Sequence, residues 1–328
     1  MGTIVLTRTD VAALLSLDVC IGAVEEAFRA HGLGRLAPPG AIGHPVAGGG
    51  FHVKAASLTL GRPYFAAKTN GNFTHNGERF GLPRIQGVIV LCDAERGTPL
   101  ALMDSIEITS LRTGAATAVA ARHLARPDAA VATIVGCGVQ GRVQLRALTR
   151  VRPLRKVHAY DATPEVARRF AADLAPELGI DIEAVTDLGP ATRRSDIVVT
   201  CTPSSQPILG ARDVGPGTFV AAVGADSEGK QEIDPHLLAS SAVVVDVLEQ
   251  CATFGDLHHV LAAGAMRRED VRAELGQVVA GTKPGRLTDE ETIIFDSTGT
   301  ALQDVAAAAV VYERALERTM GHVIDLGA

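Results

Sequence analysis

Val131-Ala-Thr-Ile-Val-Gly-Cys-Gly-Val-Gln-Gly141 reads as a short apolar strand that runs into a glycine loop and opens a helix. The bare spacing Gly136-x-Gly138-x-x-Gly141 says little in a chain with 34 glycines; its context says more. After a strand and before a helix, Gly136 makes the tight turn and Gly138 lets a pyrophosphate reach the backbone. Gly141 allows strand and helix to pack closely, and the phosphates then lie at a helix N-terminus. Asp161 ends the next strand about 20 to 25 residues on, where a carboxylate accepts hydrogen bonds from a ribose diol and repels a 2′-phosphate. By itself it also reads as a turn residue ahead of Pro164. The pattern favours NAD(H) over NADP(H), with Arg168 and Arg169 keeping the second open.

Outward from this loop the pattern alternates. Strands are expected at 131–135, 156–160, 182–185, 197–200, 219–223 and 243–247, with helices at 139–151 and 164–174 among them. Short β-rich runs of this kind form a parallel sheet with right-handed crossovers. The first hundred residues read differently. Leu17, Ile21, Val24 and Phe28 line one face of a helix that ends at His31-Gly32. A Pro/Gly-rich connection, 38–50, leads to strand candidates at 51–57, 64–69 and 87–92, a mostly antiparallel sheet. A small-residue helix at about 109–124 and the hinge Arg126-Pro127-Asp128 follow. An Ala/Val-rich helix at about 300–318 is expected to pack back on the N-terminal part. The fold class is therefore α/β: a doubly wound Rossmann domain, 126–299, plus a discontinuous α+β substrate and dimerisation domain, 1–125 completed by 300–328.

Composition agrees with this class. The 328 residues suffice for two ordinary cores without staples, and the apolar fraction is 47% with only 4% aromatics. A formal charge of −6, with no basic run, gives no reason to expect nucleic acid or an anionic membrane. Cys20, Cys92, Cys137, Cys201 and Cys251 are odd in number and far apart, which suggests neither disulfides nor a zinc site. No apolar stretch is long enough to span a bilayer, the N-terminus lacks a signal-peptide layout, and a cytoplasmic location is expected.

Several segments resemble the ornithine cyclodeaminase/μ-crystallin family over nearly the whole chain. They are Ala66-Ala-Lys68, Gly81-Leu-Pro83, Ala101-Leu-Met-Asp104, Thr109-x-x-Arg112-Thr113, Gly136 to Gln140, Thr200-Cys-Thr-Pro-Ser204, Val223-Gly-Ala-Asp226 with Lys230, Gly276-x-Val-Val-x-Gly281 and Phe295-Asp-Ser-Thr-Gly299. The resemblance implies homodimers and hydride exchange at the α-carbon of an amino or imino acid. Such chemistry needs a cation for the carboxylate, a hydride carrier and a group that manages a proton. Lys68 matches the family's substrate lysine, and Arg112 an arginine that meets cofactor phosphate and substrate carboxylate. Asp226 matches the catalytic acid/base, at the carboxyl end of a strand where doubly wound sheets place ligands. Gly136, Gly138, Val139, Gln140, Gly141, Asp161, Thr200, Thr202, Val223, Lys230 and Ser297 are the implied cofactor residues, and Thr298 an implied substrate residue. Taken singly, Arg112 reads as a surface cation and Asp226 as a turn residue. Lys68 in an otherwise apolar strand demands a partner or exposure.

The chain departs from the family pattern in places. An arginine expected near the first strands is absent from Pro38-Pro-Gly-Ala-Ile-Gly-His44. His52 replaces a glutamate, Lys54-Ala55 replaces Met-Pro, and Arg84 follows Gly-Leu-Pro in place of threonine. Strand alternation puts His52 and Lys54 on one face, so Lys54 substitutes for the missing charge or both are solvated strand residues. Lys54 and Arg84 together admit a dicarboxylic imino acid. His258-His259 diverge on a helix and are read as structural, and no metal is expected. The expected activity is NAD(H)-dependent hydride transfer on a small amino or imino acid, formed in one direction from a 2-oxo acid and ammonia. An ornithine or lysine cyclodeaminase and a non-catalytic crystallin-like NAD(P)H binder are the alternatives.

Overall fold

The computed structural model describes residues 2–326. The chain divides into two compact units, Thr113–Gly299 and Met1–Arg112 with Thr300–Ala328. The division falls inside the helix Ile106–Leu124, ahead of Arg126-Pro127-Asp128. Among the described residues no helix is long and apolar enough to cross a membrane.

The Thr113–Gly299 unit is built on an eight-stranded, wholly parallel sheet. Its order from one edge is Asp181–Ala184, Lys156–Tyr160, Val131–Val135, Ile197–Thr200, Phe219–Ala222, Ile293–Asp296, Ala242–Val245, Ala273–Glu274. The central strands are short and Val/Ile/Ala-rich because both faces are covered; Ile197–Thr200, Phe219–Ala222 and Ile293–Asp296 are buried at every position. Val135, Val198, Val220, Val245 and Ile294 join Leu209, Leu237 and Leu238 in one core. From Val131–Val135 the chain first builds outward on one side, then returns to place Ile197–Thr200 on the other. That reversal sets the loops after the two strands next to each other, which is where doubly wound sheets receive ligands.

Sequence periodicity located six of these strands and missed two. Ile293–Asp296 slots between Phe219–Ala222 and Ala242–Val245, and Ala273–Glu274 lies at the edge. Ala273–Glu274 is too short to show a period, and Ile293–Asp296 is an insertion between two strands already read. The small parallel pair Ser205–Leu209 and Gln231–Ile233 was missed as well.

The other unit carries a seven-stranded sheet in the order His322–Ile324, Thr3–Leu6, Pro99–Asp104, Ile85–Asp93, Arg62–Asn72, Gly49–Leu60, Gly40–Val46. All neighbours are antiparallel except Thr3–Leu6 with Pro99–Asp104. The expected strands 51–57, 64–69 and 87–92 lie within longer ones. The segment expected as a connection holds the edge strand Gly40–Val46, and Pro45 is tolerated there because an edge leaves one row of N–H groups unneeded.

Alternation sorts this sheet by face. Ala56, Leu58, Tyr64, Ala66, Ile89 and Leu91 are buried on one side, against the helix Ala301–Arg318, which also packs on Leu17–Gly32. Alanines at 306–309 let that helix approach closely, and Thr300 caps it by accepting from Leu302 N at 3.2 Å. Towards one end of the same face the apolar residues give way to His52, Lys54, Lys68 and Asn70. Lys54 stands directly opposite Lys68 in register, and His52 opposite Asn70.

Candidate functional site

Gly136 adopts φ 98°, and a Cβ there would lie 3.0 Å from the Cys201 carbonyl oxygen. At Gly141 a Cβ would lie 2.1 Å from the Gly136 carbonyl oxygen, so only glycine lets the helix Val139–Thr149 start this close to the strand. A Cβ at Gly138 would meet nothing within 4 Å, and Gly138 caps the helix with no side chain. The first-turn N–H groups thus keep their capacity for an anion. The loop borders a groove of about 420 Å³ lined by Cys137, Val139, Arg142, Val166 and Arg169. Asp161 is tied to the glycine loop, accepting from Cys137 N at 2.9 Å and Thr163 N at 3.0 Å. Arg168 is turned to Glu165 at 2.7 Å, whereas Arg169 lines the groove. A glycine cradle, an uncapped helix start and a carboxylate at the next strand end fit a dinucleotide.

The neighbouring loops are held by a carboxylate that sequence reading missed. Glu232 is fully buried and accepts from Thr200 Oγ1 at 2.7 Å, Thr202 N at 2.6 Å, Thr202 Oγ1 at 2.7 Å and Gly224 N at 2.8 Å. The hydroxyls of Thr200 and Thr202, expected at the cofactor, are therefore spent on fixing the loop. The backbone N–H of Glu232 donates to Asp256 at 2.9 Å, and the N–H of Leu257 donates to Asp296 at 2.9 Å. Burial raises all three carboxyls, Asp256 to about 7 with Glu232's charge adding to it. Asp246 accepts from Thr298 Oγ1 at 3.0 Å and Gly299 N at 2.7 Å, and Thr298 Oγ1 also accepts from Gln250 Nε2 at 2.6 Å. Thr298 thus belongs to this buried network, and Ser297 beside it is buried with its N–H on the Ala222 carbonyl at 2.9 Å. Val223 N donates to Thr200 O at 2.8 Å.

Asp226 lies just beyond these loops, with its side chain half exposed, and Lys230 Nζ donates to it at 2.5 Å. Lys230 is held in turn: its carbonyl accepts from His259 Nε2 at 2.8 Å. His258 Nδ1 donates to the Ala252 carbonyl at 3.3 Å. These histidines brace the loop, and among the described residues no cluster of His, Cys, Asp or Glu has the makings of a metal site.

In the other unit the polar end of the sheet face forms a buried cationic cluster. Lys68 Nζ lies 2.8 Å from Asp304, Arg112 Nε lies 3.1 Å from the same carboxylate, and Arg112 Nη1 donates to Gln303 Oε1 at 2.8 Å. Lys54, also buried, faces Lys68 across the strands. Asn70 accepts from Ser105 Oγ at 2.6 Å and closes the floor. His52 is half-buried beside Asn70. Arg84 is exposed and turned to Asn72 Oδ1 at 3.0 Å, apart from the buried cations. Gln303 and Asp304 were not anticipated. Their signal was a polar pair in an Ala/Val helix too apolar to be exposed on those positions.

The two halves of this ion pair shift alike for a reason. Burial opposes ionisation of Asp304, but Lys68 and Arg112 overcome it and hold the carboxyl below its ordinary range. Lys68 meets one anion against two cations, so burial together with Arg112 and Lys54 pulls its ammonium down to about 7.

The ornithine cyclodeaminase/mu-crystallin family model matches residues 1–319. An archaeal alanine dehydrogenase dimer with bound NAD superposes with a TM-score of 0.95 at 40% identity, over 99% of this chain and 100% of that one. The Δ(1)-pyrroline-2-carboxylate reductase of Thermococcus litoralis, in complex with NADH and L-proline, gives 0.92 at 33% identity, over 98% and 100%. The iminosuccinate reductase of Paracoccus denitrificans with NAD+ gives 0.92 at 32%, over 99% and 100%.

Lys68 binds fewer protons folded than unfolded between pH 7 and 10.5, so its contribution to stability grows as pH rises through that window. A carboxylate ligand needs the ammonium and is lost in the opposite direction. Propionate affinity, measured calorimetrically, is expected to fall as pH rises through about 7, approaching tenfold per unit. In Lys68→Met the slope should disappear; a wild-type profile that stays flat to pH 9 removes Lys68 as the anion's partner.

Proposed function

The chain belongs to the ornithine cyclodeaminase/mu-crystallin family, and from that premise we propose that it transfers a hydride between NAD(H) and the α-carbon of a small imino or amino acid. It then works as an imino-acid reductase or amino-acid dehydrogenase. One observation carries this reading: Lys68 and Arg112, both buried, converge on Asp304, with buried Lys54 opposite Lys68 in register, in a chain that also owns a dinucleotide loop. Cations gathered at one buried end of a sheet face suit an anionic ligand.

Bound at Gly136–Gly141 with its ribose on Asp161, NAD(H) would supply or accept the hydride. Lys68 and Arg112 hold the α-carboxylate, Arg112 oriented by Gln303 and both anchored by Asp304. An imine is a far better hydride acceptor once its nitrogen is protonated, and a carboxylate beside that nitrogen stabilises the cation. Asp226 takes this part, oriented by Lys230, and holds or moves the proton on nitrogen. Glu232 fixes the Thr202 and Gly224 loops, so the backbone around the hydride carrier is held in place before the cofactor binds.

We further propose that the chain works as a homodimer, as the archaeal structural relative does. On the outer face of the Met1–Arg112 unit's sheet, Ile42 is 69% exposed, Val88 43% and Phe51 39%. Such an apolar sheet face is suited to a second copy of itself.

Purified protein with NADH, ammonia and a panel of 2-oxo acids, or with cyclic imino acids, is expected to consume NADH stoichiometrically. Asp226→Asn should lower kcat by about a hundredfold or more while leaving the NADH dissociation constant nearly unchanged. Ammonia release from ornithine or lysine without net NADH change would instead make this a cyclodeaminase, and cofactor binding with no turnover a binding protein. Asp161→Ala should weaken NADH by about tenfold and NADPH much less; a wild-type preference for NADPH contradicts the assignment of Asp161. Val88→Glu should convert the dimer to monomer in sedimentation velocity, and a dimer that survives it assembles through another face.

A further inference from the structure

We propose that Asn70 is a positioning residue of the anion site: it sets which face the helix Ile106–Leu124 turns to the sheet, and so aims Arg112 at the carboxylate it shares with Lys68. The inference rests on the hydride-transfer reading in taking the ligand of that site to be a carboxylate.

Helix geometry is the first argument. Ser105, Thr109 and Arg112 follow one another at intervals of four and three residues, a single face from the helix start onward. Two contacts fix where the helix begins: Asp104 Oδ1 accepts from Ile106 N at 2.9 Å, and the Gly87 carbonyl accepts from Ser105 N at 3.2 Å. Neither reaches beyond the first residues. Asn70 does: its Oδ1 accepts from Ser105 Oγ at 2.6 Å, and its Nδ2 donates to Thr109 Oγ1 at 3.4 Å. One amide thus grips two successive rungs of the face that continues to Arg112, whose Nε lies 3.1 Å from Asp304.

The sheet is shaped to admit this amide. Asn70 and Lys68 alternate onto the same face of Arg62–Asn72, and both are buried. Gly87 stands opposite Asn70 in register, where a Cβ would lie 2.1 Å from Asn70 Oδ1 and 2.3 Å from the Thr69 carbonyl oxygen. Glycine there leaves the space the amide occupies, and an apolar side chain at Asn70 would deprive the fully buried Ser105 hydroxyl of its acceptor. The aim of Arg112 also reaches Lys68. That ammonium faces Lys54 on the neighbouring strand, Arg112 on the helix and Asp304 on the closing helix, and burial and the two cations pull it down to about 7. With Arg112 turned away, one repulsion is gone and Asp304 serves Lys68 alone. Both changes raise the pKa of Lys68.

Two measurements on the full chain test this. In the first, propionate affinity is followed calorimetrically against pH for wild type, Asn70→Ala, Arg112→Met and the double variant. Asn70→Ala is expected to weaken propionate by about tenfold at low pH and to move the fall in affinity to a pH above about 7. In the Arg112→Met background the same substitution should change neither. A loss that persists undiminished without Arg112, or a midpoint that stays at the wild-type pH, overturns the proposal. Ser105→Ala removes one rung with a smaller change and should move the midpoint the same way; an unmoved midpoint there counts equally against it. In the second, urea unfolding without ligand is followed against pH. The gain in stability that Lys68 brings as pH rises should begin at a higher pH in Asn70→Ala than in wild type, and an unmoved onset overturns the proposal. If propionate fails to bind wild type, the hydride-transfer reading loses its carboxylate site, while the unfolding profiles still decide whether Asn70 aims Arg112.

Discussion

Lys68, Arg112 and Asp304 meet in the interior of the N-terminal sheet, and the architecture of that unit follows from their meeting. A lone buried cation costs several kcal/mol, and stripping the partner from a buried pair costs about 3 to 5 kcal/mol. The sheet carries its cations early in the chain, but their carboxylate arrives 236 residues after Lys68, on the helix that follows the intervening unit. The unit therefore has to be discontinuous. Its closing helix has to be small-sided too, because a short aspartate reaches the ammonium only if the backbone lies close to the sheet. The alanines around Asp304 meet that requirement, and Thr300 sets where the helix begins.

Carboxylates do different work in the Thr113–Gly299 unit. Glu232, Asp256, Asp296 and Asp246 are fully buried, and what they gather is mainly backbone N–H groups and hydroxyls at the carboxyl ends of the strands. Each ties one loop to the next. Loops at a topological switch point have few side chains to pack and would otherwise move. Burial raises the pKa of Glu232, Asp256 and Asp296, and the hydrogen bonds these carboxyls accept oppose that rise. One unit uses a carboxylate to collect cations. The other uses carboxylates to hold backbone in place for a dinucleotide.

What was legible in the sequence was what is local. Val131 to Gly141 announces a strand, a turn and a helix within eleven residues because each glycine has a steric reason visible at short range, and Gly141 against Gly136 confirms it. Lys68 stood out as a charge in an apolar strand. Its partner did not, since nothing near Asp304 names Lys68, and Gln303 lies 191 residues from Arg112. Glu232 was missed for the same reason: its donors, Thr200 and Thr202, sit about a turn of the fold away and were read as cofactor contacts on their own. Edge and inserted strands such as Gly40–Val46 and Ile293–Asp296 take their place from pairing with strands distant in sequence or interrupted by Gly and Pro, which local pattern does not show.

The register of two strands carries a further consequence. Because Lys54 faces Lys68, each raises the cost of charging the other, and Lys68 is already the group pulled towards neutrality. An empty cluster can relieve that cost by releasing a proton. A ligand that brings negative charge removes the need, so ligand binding and proton uptake at Lys68 are linked, each favouring the other. Replacing Lys54 with a neutral residue would then do more than delete a contact. It would let Lys68 hold its proton without help and make the empty site cheaper to fold. The same substitution would therefore weaken a ligand that needs both cations while making the cluster a better host for one that needs only Lys68 and Arg112. The residue opposite Lys68 thus bears on how many protons accompany an anion into the cluster.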